Sequence, residues 1–266
     1  MNSELKESAE LHNSVTIPSI GLYADLCNES NAYDTILSAL QIGIRHLHLN
    51  CYNPFEKEIA RAIQDSGISR NDLFISAVYN ADHDSAEDAV HALGHFLKYT
   101  GADYADCFIL NTNHISFSDS WKGVEKCYKD GLTHSVGISG YSSQEIEHLL
   151  EIAEIVPMLN HIAMYPGFEN TEEGKSCKEH AFAAEAYLPI DSSEVLSSRE
   201  IAIFAEKYKK TPIQICTRYL LQKQCIAIIQ SVNQDTIKNA LNSFDFSIEN
   251  EDMKYLNVIH VKSQIS

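Results

Sequence analysis

Eight short apolar runs alternate along this chain with stretches of helical periodicity, and that alternation limits the fold more than any single motif. The runs lie in the segment TIPSIGLYA and at 44–49, 73–78, 104–110, 135–138, 158–164, 182–187 and 225–229. Between and after them the pattern predicts helices near 31–41, 55–66, 84–99, 119–129, after Ser142, and near 172–180, 199–209 and 212–223. Two more, near 233–242 and 250–259, end the chain. Ser142 is placed to cap its helix, Glu145 sits in the first turn, and Ser66-Gly67 is a C-terminal stop. Strands separated by helices form parallel sheets. The pattern predicts a (β/α)8 TIM barrel with extra C-terminal helices; an open doubly wound sheet is the competitor. No G-x-G-x-x-G follows any run, which weakens the competitor.

The 266 residues, 44% of them hydrophobic, suffice for one large α/β domain, expected over 15–266 behind a flexible polar arm at 1–14. The net charge of −17 argues against nucleic acid or an anionic membrane as partner, because either needs a basic face. No window approaches a membrane span. The seven cysteines are scattered without a C-x-x-C pair, which reads as reduced thiols and a cytoplasmic location.

Chemistry-bearing side chains collect where the second run ends in the loop GIRHLHLNCYNPFEKE, with His48, Cys51 and Tyr52 close together. In α/β barrels the C-terminal ends of strands carry the reactive groups. His46 and His48 are read here as lying on opposite faces of the strand, with His46 packed behind the barrel, which would prevent chelation by the pair. A set of His48, His161 and Cys51 meeting at the mouth is one metal alternative; Cys51 as a nucleophile activated by His48 is another. His83, His91, His95, His114 and His134 fall on predicted loops or helix surfaces, and Trp121 reads as core.

Several blocks resemble the aldo-keto reductases. GIRHLHLNCY resembles that family's G-[YF]-R-H-[IL]-D-T-A-x-x-Y, ISRNDLFISAV its R-[ED]-x-[LI]-F-[IV]-x-[ST]-K, and DYADCFILNTN its D-Y-[VL]-D-L-[YF]-L-[IL]-H-x-P. GLTHSVGISGY, VPMLNHIAMYP, HAFAAEAYLPI, KKTPIQICTRYLLQ and the segment from Ile228 to Met253 follow later blocks in order. The resemblance implies the barrel. It also implies hydride transfer from NADPH to a carbonyl, assisted by a Tyr proton donor, a Lys that lowers its pKa, an Asp paired with the Lys, and a His that orients the carbonyl. Here the Asp position holds His48, the Lys position Val78 and the His position Asn111. The Tyr persists as Tyr52 only with a one-residue shift. A phenol near pKa ~10 is a poor proton donor at neutral pH without a neighbouring cation. A His48–Tyr52 pair with Asn111 orienting a carbonyl is a conceivable replacement; the plainer alternative is a hydrogen-bonded pocket histidine and a packed ring.

The cofactor positions implied by the resemblance also depart from the pattern. In the phosphate-binding block, Ser231 is retained while Gln230 and Thr236 stand for the Lys and Arg that clamp the 2′-phosphate, and Ala240 for the adenine-binding Asn. At the nicotinamide end the Ser-Asn pair is Ser139-Gly140, the Gln is His161, and the stacking Tyr is Tyr187. Leu188 and Asp191 replace small residues, and a carboxylate near a pyrophosphate is unfavourable. Binding of NADP(H) or NAD(H) is therefore expected to be weakened or lost. The loop between Asn111 and Ser118 is short, which predicts an open mouth. Two readings follow: a pseudoenzyme that binds a small molecule or a protein partner, and a divergent enzyme. The latter either reduces a carbonyl with NAD(P)H or runs a cofactor-free lyase- or isomerase-type reaction with His48 and Tyr52.

Overall fold

The computed structural model describes residues 7–24, 27–112, 116–168, 172–187 and 193–259. After a two-stranded antiparallel hairpin, β1 (Ser8–Glu10) on β2 (Thr16–Pro18), the barrel strands follow. These are β3 (Ile20–Tyr23), β4 (His46–Asn50), β5 (Phe74–Ala81), β6 (Cys107–Thr112), β7 (Val136–Ser139), β8 (Leu159–Ala163), β9 (Ala183–Tyr187) and β10 (Ile226–Ile229). They close in the order β10-β3-β4-β5-β6-β7-β8-β9. Every neighbouring pair is parallel, so all the C-terminal strand ends open on one face. Each of the eight predicted runs overlaps one barrel strand, and β4, β5, β6 and β7 extend one to three residues past the predicted ends. Residues 8–10, read as part of a flexible arm, instead form the hairpin, which satisfies their backbone groups against β2.

The helices are α1 (Ala32–Ile42), α2 (Glu56–Asp65), α3 (Ala86–Thr100), α4 (Ser118–Lys129), α5 (Ser143–Ile152), α6 (Glu172–Glu179), α7 (Ser193–Leu196), α8 (Arg199–Tyr208), α9 (Pro212–Gln222), α10 (Gln234–Leu241) and α11 (Asn250–Val258). Local signals place their ends. Ser142 and Glu145 form a full capping box at α5, and Gly67, φ +67°, follows the cap of α2 in a left-handed conformation that glycine adopts without steric cost. The four-residue α7 carries too little periodicity to be legible in sequence.

Apolar side chains fill the layer between strands and helices. Leu47, Leu49, Ile75, Ala77, Phe108, Leu110 and Ile138 are buried, as is Trp121 on α4. The barrel interior is less apolar. His46, His48, Ser76, His161 and Glu185 are all buried, where branched hydrophobes usually stack. The seven cysteines are free and buried. Among the described residues no helix is long and apolar enough to cross a membrane.

Candidate functional site

Strand register builds the site. His161 of β8 lies directly beside Glu185 of β9, and Ser139 of β7 lies beside His161. His48 of β4 stands on the far side of the barrel, four strands away around the circle. The three side chains nevertheless meet inside. His161 Nδ1 lies 2.5 Å from Glu185 Oε2. His48 Nδ1 lies 3.0 Å from the same oxygen, without hydrogen-bond alignment. His46 Nε2 is 3.4 Å from Glu185 Oε1 and hydrogen-bonded to Ser76 Oγ at 3.0 Å. His46 and His48 thus share the inward face, which corrects the opposite-face assignment: residues two apart on a strand point the same way. Among the described residues the ionisable groups in contact with Glu185 are these imidazoles, with no Lys or Arg.

Burial and mutual charge set the proton affinities. Burial would raise the Glu185 carboxyl, but His48 and His161 outweigh it and hold it well below the usual carboxylate range. Burial pushes His161 down, with His48 adding to the effect and Glu185 opposing it. Burial likewise takes His46 down to about 4 against the pull of Glu185. The arrangement is an ionised carboxylate beside two imidazoles, His46 and His161, of reduced proton affinity.

Above the cluster, at the C-terminal strand ends, opens a cavity of about 500 Å³. Tyr23, Asn111, Ser139, Tyr141, His161, Phe168, Glu173, Tyr187 and Gln230 are among its lining residues, and among the described residues that line it there is no Lys or Arg. The rings continue one another across the mouth: Tyr23 lies 5.5 Å from His48, His48 4.4 Å from His161, and His161 stacks on Tyr187 at 4.8 Å. Asn111 donates to Asn80, which donates to Asn50, an amide chain across three strand ends.

The candidates separate accordingly. His48, Asn111, Ser139, His161, Tyr187 and Gln230 gather in or just beneath this cavity. Tyr52 does not join them. The residue is 56% exposed and its ring stacks on His95 of α3, so the His48–Tyr52 pair is not formed. Burial raises its phenol further above the ordinary value. Five residues beyond His48, the spacing of D-T-A-x-x-Y, stands the buried Asn53. Val78 is buried beside Asn50 in register. Ser231 accepts from the Asn233 amide in the loop before α10, and the Asn233 side chain accepts from the Thr236 amide at that helix's start. Cys51 is buried in the core, and the third member of the histidine cluster is Glu185. The sequence signal for Glu185 was a lone carboxylate in the run HAFAAEAY. Leu188, Asp191 and His114 lie outside the described residues, as does part of the loop after Asn111.

The same conclusion about ancestry comes from sequence and from shape. The model of the Aldo/keto reductase family matches residues 20–200 and 166–260. A glyoxal reductase of Bacillus subtilis (strain 168) is 29% identical over 268 residues, covering 100% of this chain and 97% of that protein. An aldo-keto reductase of Mycolicibacterium vanbaalenii is 28% identical, covering 92% and 89%. The aldose reductase of Schistosoma japonicum superposes with a TM-score of 0.91 at 26% identity, covering 98% of this chain and 94% of that one. With a matching family model over most of its length and a closed parallel barrel to go with it, this chain belongs to the aldo/keto reductase family.

Proposed function

We propose that this chain is a small-molecule-binding barrel that does not perform ordinary NADPH-dependent carbonyl reduction. The observation that carries this reading is the fate of the proton-donor machinery. Val78 stands where the family motif has its Lys, and His48, in the Asp position, is tied to Glu185 and His161. Tyr52, the sequence candidate for the donor, is outside the cavity. A phenol with no cation beside it stays protonated and poorly acidic at neutral pH.

The residues present also fit NADPH poorly. A dinucleotide brings a diphosphate, and charge-assisted bonds from Lys or Arg normally meet such groups. Glu173 lines the cavity without a cation, Gln230 and Thr236 replace the clamp, and one face of Tyr187 is covered by His161. The lining favours an uncharged or cationic ligand with a flat ring, able to lie against Tyr23 and Tyr187 and to exchange hydrogen bonds with Asn111 and Ser139. The volume suits such a ligand.

A second reading has its own observation. His161 both lines the cavity and is held by a buried carboxylate, the arrangement of an oriented general base. It supports cofactor-free proton transfer in the same pocket.

The test is steady-state oxidation of NADPH and of NADH with aldehyde and ketone substrates, glyoxal included because a relative is named for it. The expected result is no carbonyl-dependent oxidation above the enzyme-free rate. Saturable carbonyl-dependent turnover with either nucleotide would overturn the proposal, and its loss in Tyr52→Phe would in addition return Tyr52 to the site.

A further inference from the structure

We propose that His48, His161 and Glu185 form a binding site for a divalent first-row transition metal at the floor of the cavity. The inference rests on the functional reading above, since it names what the repurposed pocket holds.

Three observations carry it. The first is the donor set. One ligand atom from each residue lies within 4.8 Å of the others, and the side chains are 2%, 8% and 0% exposed. Two imidazole nitrogens and a carboxylate oxygen are the ligand types that Zn²⁺ and its first-row neighbours take with a position left open. Ligands of one tetrahedral ion, bonded at about 2.0 Å, stand about 3.3 Å apart. The 3.0 Å contact of His48 is near that separation, and the 2.5 Å contact of His161 must lengthen.

The second is what the cluster leaves unsatisfied. His48 Nδ1 and Glu185 Oε1 are buried polar atoms without a hydrogen bond. A buried carboxylate with no Lys or Arg beside it among the described residues is costly unless something compensates its charge. A divalent ion would supply that charge and give His48 Nδ1 a partner.

The third is placement. The donors come from opposite walls of a closed barrel, on strands rather than loops, so their separation is fixed by register. His46 stands against the second carboxylate oxygen and is itself held by Ser76, a position that would orient the carboxylate. His161 belongs to the cavity wall as well, so a ligand entering with an oxygen or nitrogen donor would reach an ion held there.

The test uses the full-length chain, stripped with a chelator and titrated with Co²⁺ alone. The expected result is one equivalent bound, with visible d–d absorption, a raised thermal midpoint, and displacement by Zn²⁺. Glu185→Gln and His161→Ala should each weaken binding at least tenfold. Where a variant does not fold, anomalous scattering from Co²⁺-loaded wild-type crystals locates the ion. Absence of stoichiometric binding to the folded chain overturns the proposal. Binding that survives both substitutions, or an ion located on surface histidines, overturns it equally. None of these readouts involves a nucleotide, so failure here is distinguishable from failure of the functional reading.

Discussion

At the residue scale, the interior histidines make the protein's stability respond to pH in a calculable direction. His46 has its folded pKa lowered to about 4, whereas an unfolded imidazole titrates near 6.5. Below pH ~6.5 the unfolded chain therefore binds a proton that the folded chain refuses, and stability falls as the pH drops. By pH ~4 the loss from this one residue is about 3 kcal/mol. His161, also lowered, acts in the same direction, and Glu185 extends the decline at still lower pH. Urea unfolding of wild type and His46→Asn from pH 7 to 4 checks this: the variant should show the shallower slope, and equal slopes would refute the assignment. Tyr52 offers the opposite case. Its ring is mostly exposed and stacked on one partly exposed histidine. Tyr52→Phe should shift unfolding free energy by no more than about 0.5 kcal/mol and leave ligand binding in the cavity unchanged. A large change in either by calorimetry would return Tyr52 to the site.

At the element scale, strand β3 must approach β4 closely for the histidines to sit inside. A Cβ on Gly21 would stand 2.6 Å from His46 Nδ1 and 2.7 Å from Ile228 Cδ1. The His46 ring is fully buried against Phe74, at 4.9 Å between centroids, and cannot swing away freely. Gly21→Ala should cost about 1–3 kcal/mol, as overpacking does, and displace His46 from Ser76. Thermal denaturation together with the histidine ring NMR shifts would show it; a neutral substitution with unmoved shifts would contradict the packing. The elements were legible in sequence because periodicity and end signals agree: the capping box at Ser142 and the stop at Ser66-Gly67 both fall where the pattern put them. The site was legible only in part. His48 and His161 announced themselves as residue types. The pairing of His161 with Glu185 depends on β8 and β9 lying in register, which no local pattern encodes. Tyr52 was read into the site because sequence does not reveal on which side of a loop a ring emerges.

At the scale of the whole molecule, a barrel of the aldo/keto reductase family has kept its frame while its interior carries a His/Glu cluster and its mouth, among the described residues, is lined by no Lys or Arg. The frame is maintained by apolar packing between strands and helices, which tolerates exchange within the barrel as long as that layer is filled. The function proposed above implies that this mouth does not take up a nicotinamide dinucleotide. The most direct measurement is a titration of the full-length chain with NADPH and with NADH to millimolar concentration, following the thermal midpoint and nucleotide fluorescence. No saturable change in either is expected. A ligand specific for the folded state, present at 100 times its Kd, stabilises by about 2.7 kcal/mol; a midpoint rise of that size, saturating with either nucleotide, would contradict the proposed function.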